Sequence, residues 1–143
     1  MAQKPDVAIV TGGSRGIGAA TSLLLAKAGY LVVVNFVSNA AAAKAVVTQI
    51  EQAGGKAAAI KGDVASEKDI VALFKATDQL GQLKVLVNNA GVVDVKARVD
   101  EMSAERLARM FAINITGTFL CAREAVKRMS TRHGGSGGVI VNL

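Results

Sequence analysis

A short apolar run, Val7-Ala8-Ile9-Val10, breaks into the cluster Thr11-Gly12-Gly13-Ser14-Arg15-Gly16-Ile17-Gly18, and a helical pattern begins at once. No other stretch constrains the fold as tightly. Gly12, Gly16 and Gly18 permit positive φ, close approach of a ligand and tight seating of a helix on a strand. The free N–H groups and positive dipole end of that helix face whatever anion lies above the turn. Its natural guest is a diphosphate. A glycine turn alone is equally a structural connection, but strand, spaced glycines and helix together point to a dinucleotide site. Ile17, Ala20, Leu24 and Ala28, at helical spacing, predict the face that this helix buries.

Five runs read as strands buried on both faces, because they are apolar without alternation: Val7–Val10, Leu31–Phe36, Ala57–Ile60, Val85–Val87 and Val139–Leu143. Helical patterns separate them. Ala42, Val46, Ile50 and Ala53 mark the second, and the third opens at a Ser66 cap and runs through Ile70, Leu73, Phe74 and Leu80. The fourth starts near Ser103 and aligns Leu107, Met110, Phe111, Thr118, Cys121 and Ala125. Strict alternation predicts an α/β fold, a Rossmann-type doubly wound parallel sheet of order 3-2-1-4-5. Its ligand crevice is expected above the carboxyl ends of strands 1 and 4. Gly134-Gly135-Ser136-Gly137-Gly138 reads as a flexible linker.

The 143 residues are 51% hydrophobic, enough for one packed domain over 1–143 and too many for disorder. No apolar stretch approaches the roughly 18 residues of a membrane span, and no signal segment precedes Val7. The net charge of +6 raises the question of nucleic acid, but 3% aromatic content leaves few platforms for stacking bases. Arg123, Lys127, Arg128 and Arg132 fall late in a helix, where cations complement the dipole. One His and one Cys offer no metal-ligand spacing, and the single Cys121 suits a reducing cytoplasm. His133, beside the glycine run, reads as a solvated helix-end residue.

A second apolar run ends in Asn88-Asn89-Ala90-Gly91. Together with Thr11 to Gly18, this segment closely resembles the two N-terminal signatures of the short-chain dehydrogenase/reductase family, and the resemblance runs from Val7 to Leu143. It implies an oxidoreductase that moves hydride between a nicotinamide cofactor and a carbonyl or secondary alcohol, assembled as a homodimer or homotetramer. Members of that family carry a catalytic Ser at the end of the next strand, then Tyr-x-x-x-Lys. Here the sequence reaches Val139-Ile140-Val141-Asn142-Leu143, and the only tyrosine, Tyr30, is followed four residues later by Val34. The expectation is a cofactor-binding half, incomplete at its C-terminal end and inactive alone. Its apolar last strand favours a longer parent, because an unpaired apolar edge invites aggregation. The alternative is a catalytically inactive nucleotide-binding module or truncated product.

Charge argues for the cofactor. An acidic residue ending strand 2 would bind a ribose 2′-hydroxyl and repel a 2′-phosphate, but Asn35-Phe36 ends it here. Arg15, inside the turn, offers a cation and several donors to the same position, so NADP(H) is favoured over NAD(H). The cofactor-binding set is Gly12, Ser14, Arg15, Gly16, Ile17, Gly18, Asn35, Asp63, Val64, Asn89, Ala90 and Gly91. By resemblance, Asp63 meets the adenine amino group and the Val64 amide a ring nitrogen. On sequence alone, Asp63 is as readily a turn residue. Asn88 is implied to be mainly a sheet stabiliser. Asn114 stands within the apolar stripe of the fourth helix, where an amide needs partners and perturbs the helical ladder. The resemblance makes it the one catalytic residue present, holding a water in a proton relay.

Overall fold

A computed structural model describes residues 3–143, and it builds a five-stranded parallel sheet in the order β3-β2-β1-β4-β5. The strands are β1 (Asp6–Val10), β2 (Leu31–Phe36), β3 (Lys56–Lys61), β4 (Gln82–Asn88) and β5 (Val139–Asn142). Between them run α1 (Gly16–Lys27), α2 (Ala40–Gln52), α3 (Glu67–Leu80), α4 (Ala104–Phe111) and α5 (Gly117–Met129). The predicted order and doubly wound architecture hold. Only the central strands are buried on both faces, however; β3 and β5 are edges and partly exposed. β3 keeps its inner register on β2, with Val33 opposite Ala58.

Each face of the sheet carries its own core. Ala43, Val46 and Ile50 of α2, with Ala19, Leu25 and Ala26 of α1, cover Ala8, Val10, Val32 and Val34. On the other face, Ile70, Leu73 and Phe74 of α3 and Cys121, Ala125 and Met129 of α5 cover Val7, Ile9, Val33 and Leu86. A side chain such as Phe74, fully buried here, contributes roughly 2–3 kcal/mol. Burial pushes the Cys121 thiol up to about 12, with the Glu124 carboxylate adding to the effect, so it is an unreactive core residue.

Three readings of the sequence need correction. The face of α1 marked by Ile17, Ala20, Leu24 and Ala28 points to solvent, and Gly18 and Ser22 face inward instead. This helix is apolar nearly all round, so periodicity does not select a side. The fourth helix is two helices: a π-helical turn, Ala112–Thr116, separates α4 from α5 and shifts the faces of the two halves relative to each other. Phe111 is thereby left half-exposed, while Cys121 and Ala125 are buried.

The glycine run before β5 is likewise no linker. Ser136 accepts hydrogen bonds from Gln82, at 2.9 Å, and from Lys84, and Gly137 N donates to Met129 O at 2.8 Å. A Cβ on Gly138 would stand 2.2 Å from Met129 Sδ and 2.7 Å from Lys84 O. The glycines serve close packing. His133, in the turn after α5, is exposed as expected.

Candidate functional site: the crevice above strands 1 and 4

The ends of β1 and β4 are sewn together by Thr11 and Asn89. Thr11 Oγ1 accepts from both Asn89 N and Ala90 N at 3.0 Å. Asn89 Nδ2 donates in return to Thr11 O and Gly12 O, each at 3.0 Å. Asn88 ties β4 sideways, donating to Asn142 Oδ1 at 3.0 Å and to Thr118 O at 3.4 Å, the sheet-stabilising role its resemblance implies. The Asn-Asn pair thus fixes the floor of the crevice, and Ala90 and Gly91 continue along it.

The turn itself is held open at its helix end. Gly12 and Gly16 have φ of 59° and 54°, and Gly18 packs so closely that a Cβ would fall 2.2 Å from Gly12 O. Ser22 donates to Gly18 O at 2.8 Å, anchoring the first turn of α1 from beneath. Arg15 stands at the N-cap with no side-chain capping bond, and the first turn has no acidic residue. The α1 amides and dipole therefore face outward without a carboxylate to neutralise them. In the same turn Arg15 and Ile17 are exposed and Ser14 is half-buried.

Asn35 does not do what its place at the end of β2 implied. It is 1% exposed, its Nδ2 donates to Ile60 O and Gly62 O at 3.2 and 3.1 Å, and its Oδ1 accepts from Gly12 N at 3.3 Å. Both amide protons are used inside the protein, so Asn35 braces the turn and is withdrawn from any ribose. Strand alternation puts its side chain on the face of Val33, while Phe36 packs half-buried on the opposite face and the exposed positions begin at Val37. No carboxylate follows, since the segment reads Asn35-Phe36-Val37-Ser38-Asn39.

Asp63 and Val64 lie at the far side, after β3. Asp63 Oδ1 accepts from Ala65 N at 2.9 Å, while its Oδ2 faces the Arg109 guanidinium at 3.3 and 3.4 Å. Val64 is buried in the core, and its carbonyl lies 2.6 Å from where a Cβ on Gly117 would stand. Glycine at that position lets α5 approach this loop.

Asn114 sits in the π turn, exposed rather than buried, with its amide paired to one peptide unit. Its Oδ1 accepts from Val92 N and its Nδ2 donates to Val92 O, both at 2.8 Å. The side chain thus pins the loop after Gly91. Arg106 supports the same loop, donating to Val95 O and standing 3.5 Å from Asp94 Oδ2. Arg106 and Arg109 escaped the sequence reading; the basic pair at i, i+3 on α4 was the available signal. A concavity of about 540 Å³ lies elsewhere, at the opposite end of the sheet among Lys4, Asp78, Gln82, Lys127 and Arg128. Its main charges already pair with one another or with Glu124.

Residues 6–143 match the short chain dehydrogenase family. The uncharacterized oxidoreductase YgfF of Escherichia coli is 53% identical over 138 residues, covering 96% of this chain and 56% of that protein. A 3-oxoacyl-(acyl-carrier-protein) reductase of Synechocystis is 42% identical over 139 residues, covering 96% and 55%. A mutant Serratia marcescens short-chain dehydrogenase/reductase superposes with a TM-score of 0.86 at 35% identity, covering 98% of this chain and 55% of that one. The chain spans about half the length of the curated relatives it matches. With the sheet order, the glycine turn and the Asn-Asn-Ala-Gly floor in place, this chain belongs to the short-chain dehydrogenase/reductase family of oxidoreductases.

Proposed function

We propose that this chain is the cofactor-holding part of an NADP(H)-preferring reductase acting on a small carbonyl or secondary alcohol. The observation that carries the reading is the uncapped, acid-free N-terminus of α1 with Arg15 exposed beside it. A dinucleotide fits this turn: Gly12, Gly16 and Gly18 bring backbone close to a diphosphate, and Ser14, Arg15 and Ile17 surround it. Arg15 supplies the cation for a 2′-phosphate, and no carboxylate from Asn35 to Asn39 opposes it. Asp63 and the Val64 amide hold the adenine, while Asn89, Ala90 and Gly91 support the rest of the cofactor. When bound, the nicotinamide supplies or accepts the hydride. Asn114 serves by holding Val92 and the loop beside the reacting end, its Oδ1 and one of its two Nδ2 protons engaged by that peptide unit.

Calorimetric titration with NADP⁺ and NAD⁺ tests this. NADP⁺ is expected to bind about tenfold or more tightly, and Arg15→Ala to weaken NADP⁺ by a similar factor with little change for NAD⁺. Equal or tighter NAD⁺ binding overturns the preference, and binding of neither overturns the dinucleotide reading.

Assembly through α4 and α5 is part of the same proposal. Phe111, Ile115, Phe119 and Val126 form an exposed apolar stripe along them, Phe119 being 73% exposed. Such a stripe suits a self-complementary contact between two copies. Phe119→Glu is expected to convert a dimer or tetramer into a monomer in sedimentation velocity. A native protein already monomeric at micromolar concentration removes this part. The reducing environment suited to Cys121 fits a cytoplasmic location, and no helix among the described residues is long and apolar enough to cross a membrane.

A further inference from the structure

Arg106 holds the loop after the crevice floor with an incomplete set of bonds. Its side chain is 17% exposed, its Nη2 donates to Val95 O, and its Nε is buried with no hydrogen-bond partner. A guanidinium N–H shut off from water without an acceptor is costly, and a carboxylate oxygen, Asp94 Oδ2, stands 3.5 Å away. Asp94 commits its other oxygen locally, to Val95 N at 2.7 Å. Arg128 shows the completed form of the same pair, with Nε and Nη2 forked onto both oxygens of Asp78 at 2.7 and 2.9 Å. Arg106 can make that fork only by releasing Val95 O, while Asp94 releases Val95 N. The loop therefore has two alternative sets of bonds, and in the second Val95 turns its peptide groups to water.

From Val92 to Ala97, Asn114 and Arg106 supply the only hydrogen bonds that reach this loop from other elements of the described chain. Val93 and Val95 are 98% and 77% exposed, so the loop carries apolar surface that the protein itself leaves uncovered. Resting on the dinucleotide reading, we infer that residues 92–99 form a strap that closes on the filled crevice, hinged at Asn114–Val92 and latched by an Arg106–Asp94 fork. A ligand can bias the two states only through contacts that differ between them. Here that difference is apolar: a ligand lying over Ala90 and Gly91 gives the valines of the strap a surface to bury, which the empty crevice does not. Closure also supplies the missing acceptor for Arg106 Nε and replaces two bonds to peptide groups by a charge-assisted pair. Arg106 is in this reading a positioning residue, because it acts on the ligand through the strap.

Amide hydrogen exchange with and without saturating NADP⁺, read by mass spectrometry on peptides covering 92–99, tests this. In the native protein NADP⁺ is expected to slow exchange there by about tenfold. Arg106→Gln keeps a donor for Val95 O but cannot fork, and Asp94→Asn removes the carboxylate. Each is expected to reduce that slowing by at least about threefold under saturating NADP⁺. An Arg106 that merely braces the loop would speed exchange equally with and without NADP⁺ and leave their ratio unchanged, which overturns the inference. Thermal melting of each variant confirms that it is folded. A native protein that binds NADP⁺ with less than about threefold slowing over 92–99 also overturns it, and the dinucleotide reading then stands. A native protein that binds no NADP⁺ overturns both.

Discussion

Replacing Gly18 by alanine is expected to cost about 3 kcal/mol of stability and to weaken NADP⁺ binding by about a hundredfold or more. The new Cβ would stand 2.2 Å from Gly12 O, 2.5 Å from Asn89 Nδ2 and 3.0 Å from Gly12 C. Two of these are backbone atoms, and the third belongs to an amide whose protons hold Thr11 O and Gly12 O. Nothing at the contact is a flexible side-chain end, so relief requires the turn to lift off β4. That movement breaks the stitching of the crevice floor and displaces the α1 amides together. Gly16→Ala is the informative contrast, because a Cβ there meets nothing within 4 Å and the cost is backbone conformation at a φ of 54°. It is expected to cost about 1–2 kcal/mol. Urea denaturation and NADP⁺ titration of both variants decide the matter. A Gly18→Ala protein within about 1 kcal/mol of native, with affinity preserved, would show that the turn yields and that steric contact does not set its shape.

The fold was legible because the features that fix it are local. Apolar runs without alternation, a glycine turn and caps such as Ser66, which accepts from Asp69 N at 3.2 Å, each act within a few residues. Sheet order then followed from alternation together with the dinucleotide-type glycine turn. The failures lie where the deciding contact is distant or where local pattern is degenerate. An apolar α1 offers no contrast between Leu24, which is exposed, and Leu25, which packs against the core. At the end of β2 both Asn35 and its neighbour Phe36 turn away from solvent, and only the bonds of Asn35 to Gly12, Ile60 and Gly62 reveal that its amide is spent inside the protein. Asn114 stood out in sequence as an amide in an apolar stripe, but its partner is Val92 and its helix is broken at that point. Arg109 meets Asp63 across 46 residues, a pairing that no periodicity encodes.

Glu124→Gln is expected to destabilise the protein by about 2 kcal/mol at neutral pH, with the difference closing in acid. Glu124 is 5% exposed on α5 and surrounded by cations: Lys127 Nζ at 2.9 Å, Arg123 Nε at 3.2 Å and Arg128 Nη1 at 3.5 Å. Arg128 also forks onto Asp78 of α3 and lies 5.3 Å from the Phe74 ring centre, so one network clamps α5 to α3. Burial, the largest single influence, pushes the Glu124 carboxyl up. The hydrogen bond and charge of Lys127, with Arg123 and Arg128, outweigh it and leave the carboxyl below its usual range. A group whose pKa falls on folding stabilises the native state above its unfolded pKa, and that contribution is lost as pH drops through the folded value. Native protein should therefore lose stability on the acid side of the usual glutamate range, and the Gln variant should lose less. Glutamine keeps the volume and shape of the side chain, so a cavity cannot imitate the result. Urea unfolding from pH 7 down to about 3 measures both curves. Parallel curves would mean that Glu124 is held by packing alone, and that the clamp between α3 and α5 does not depend on its charge.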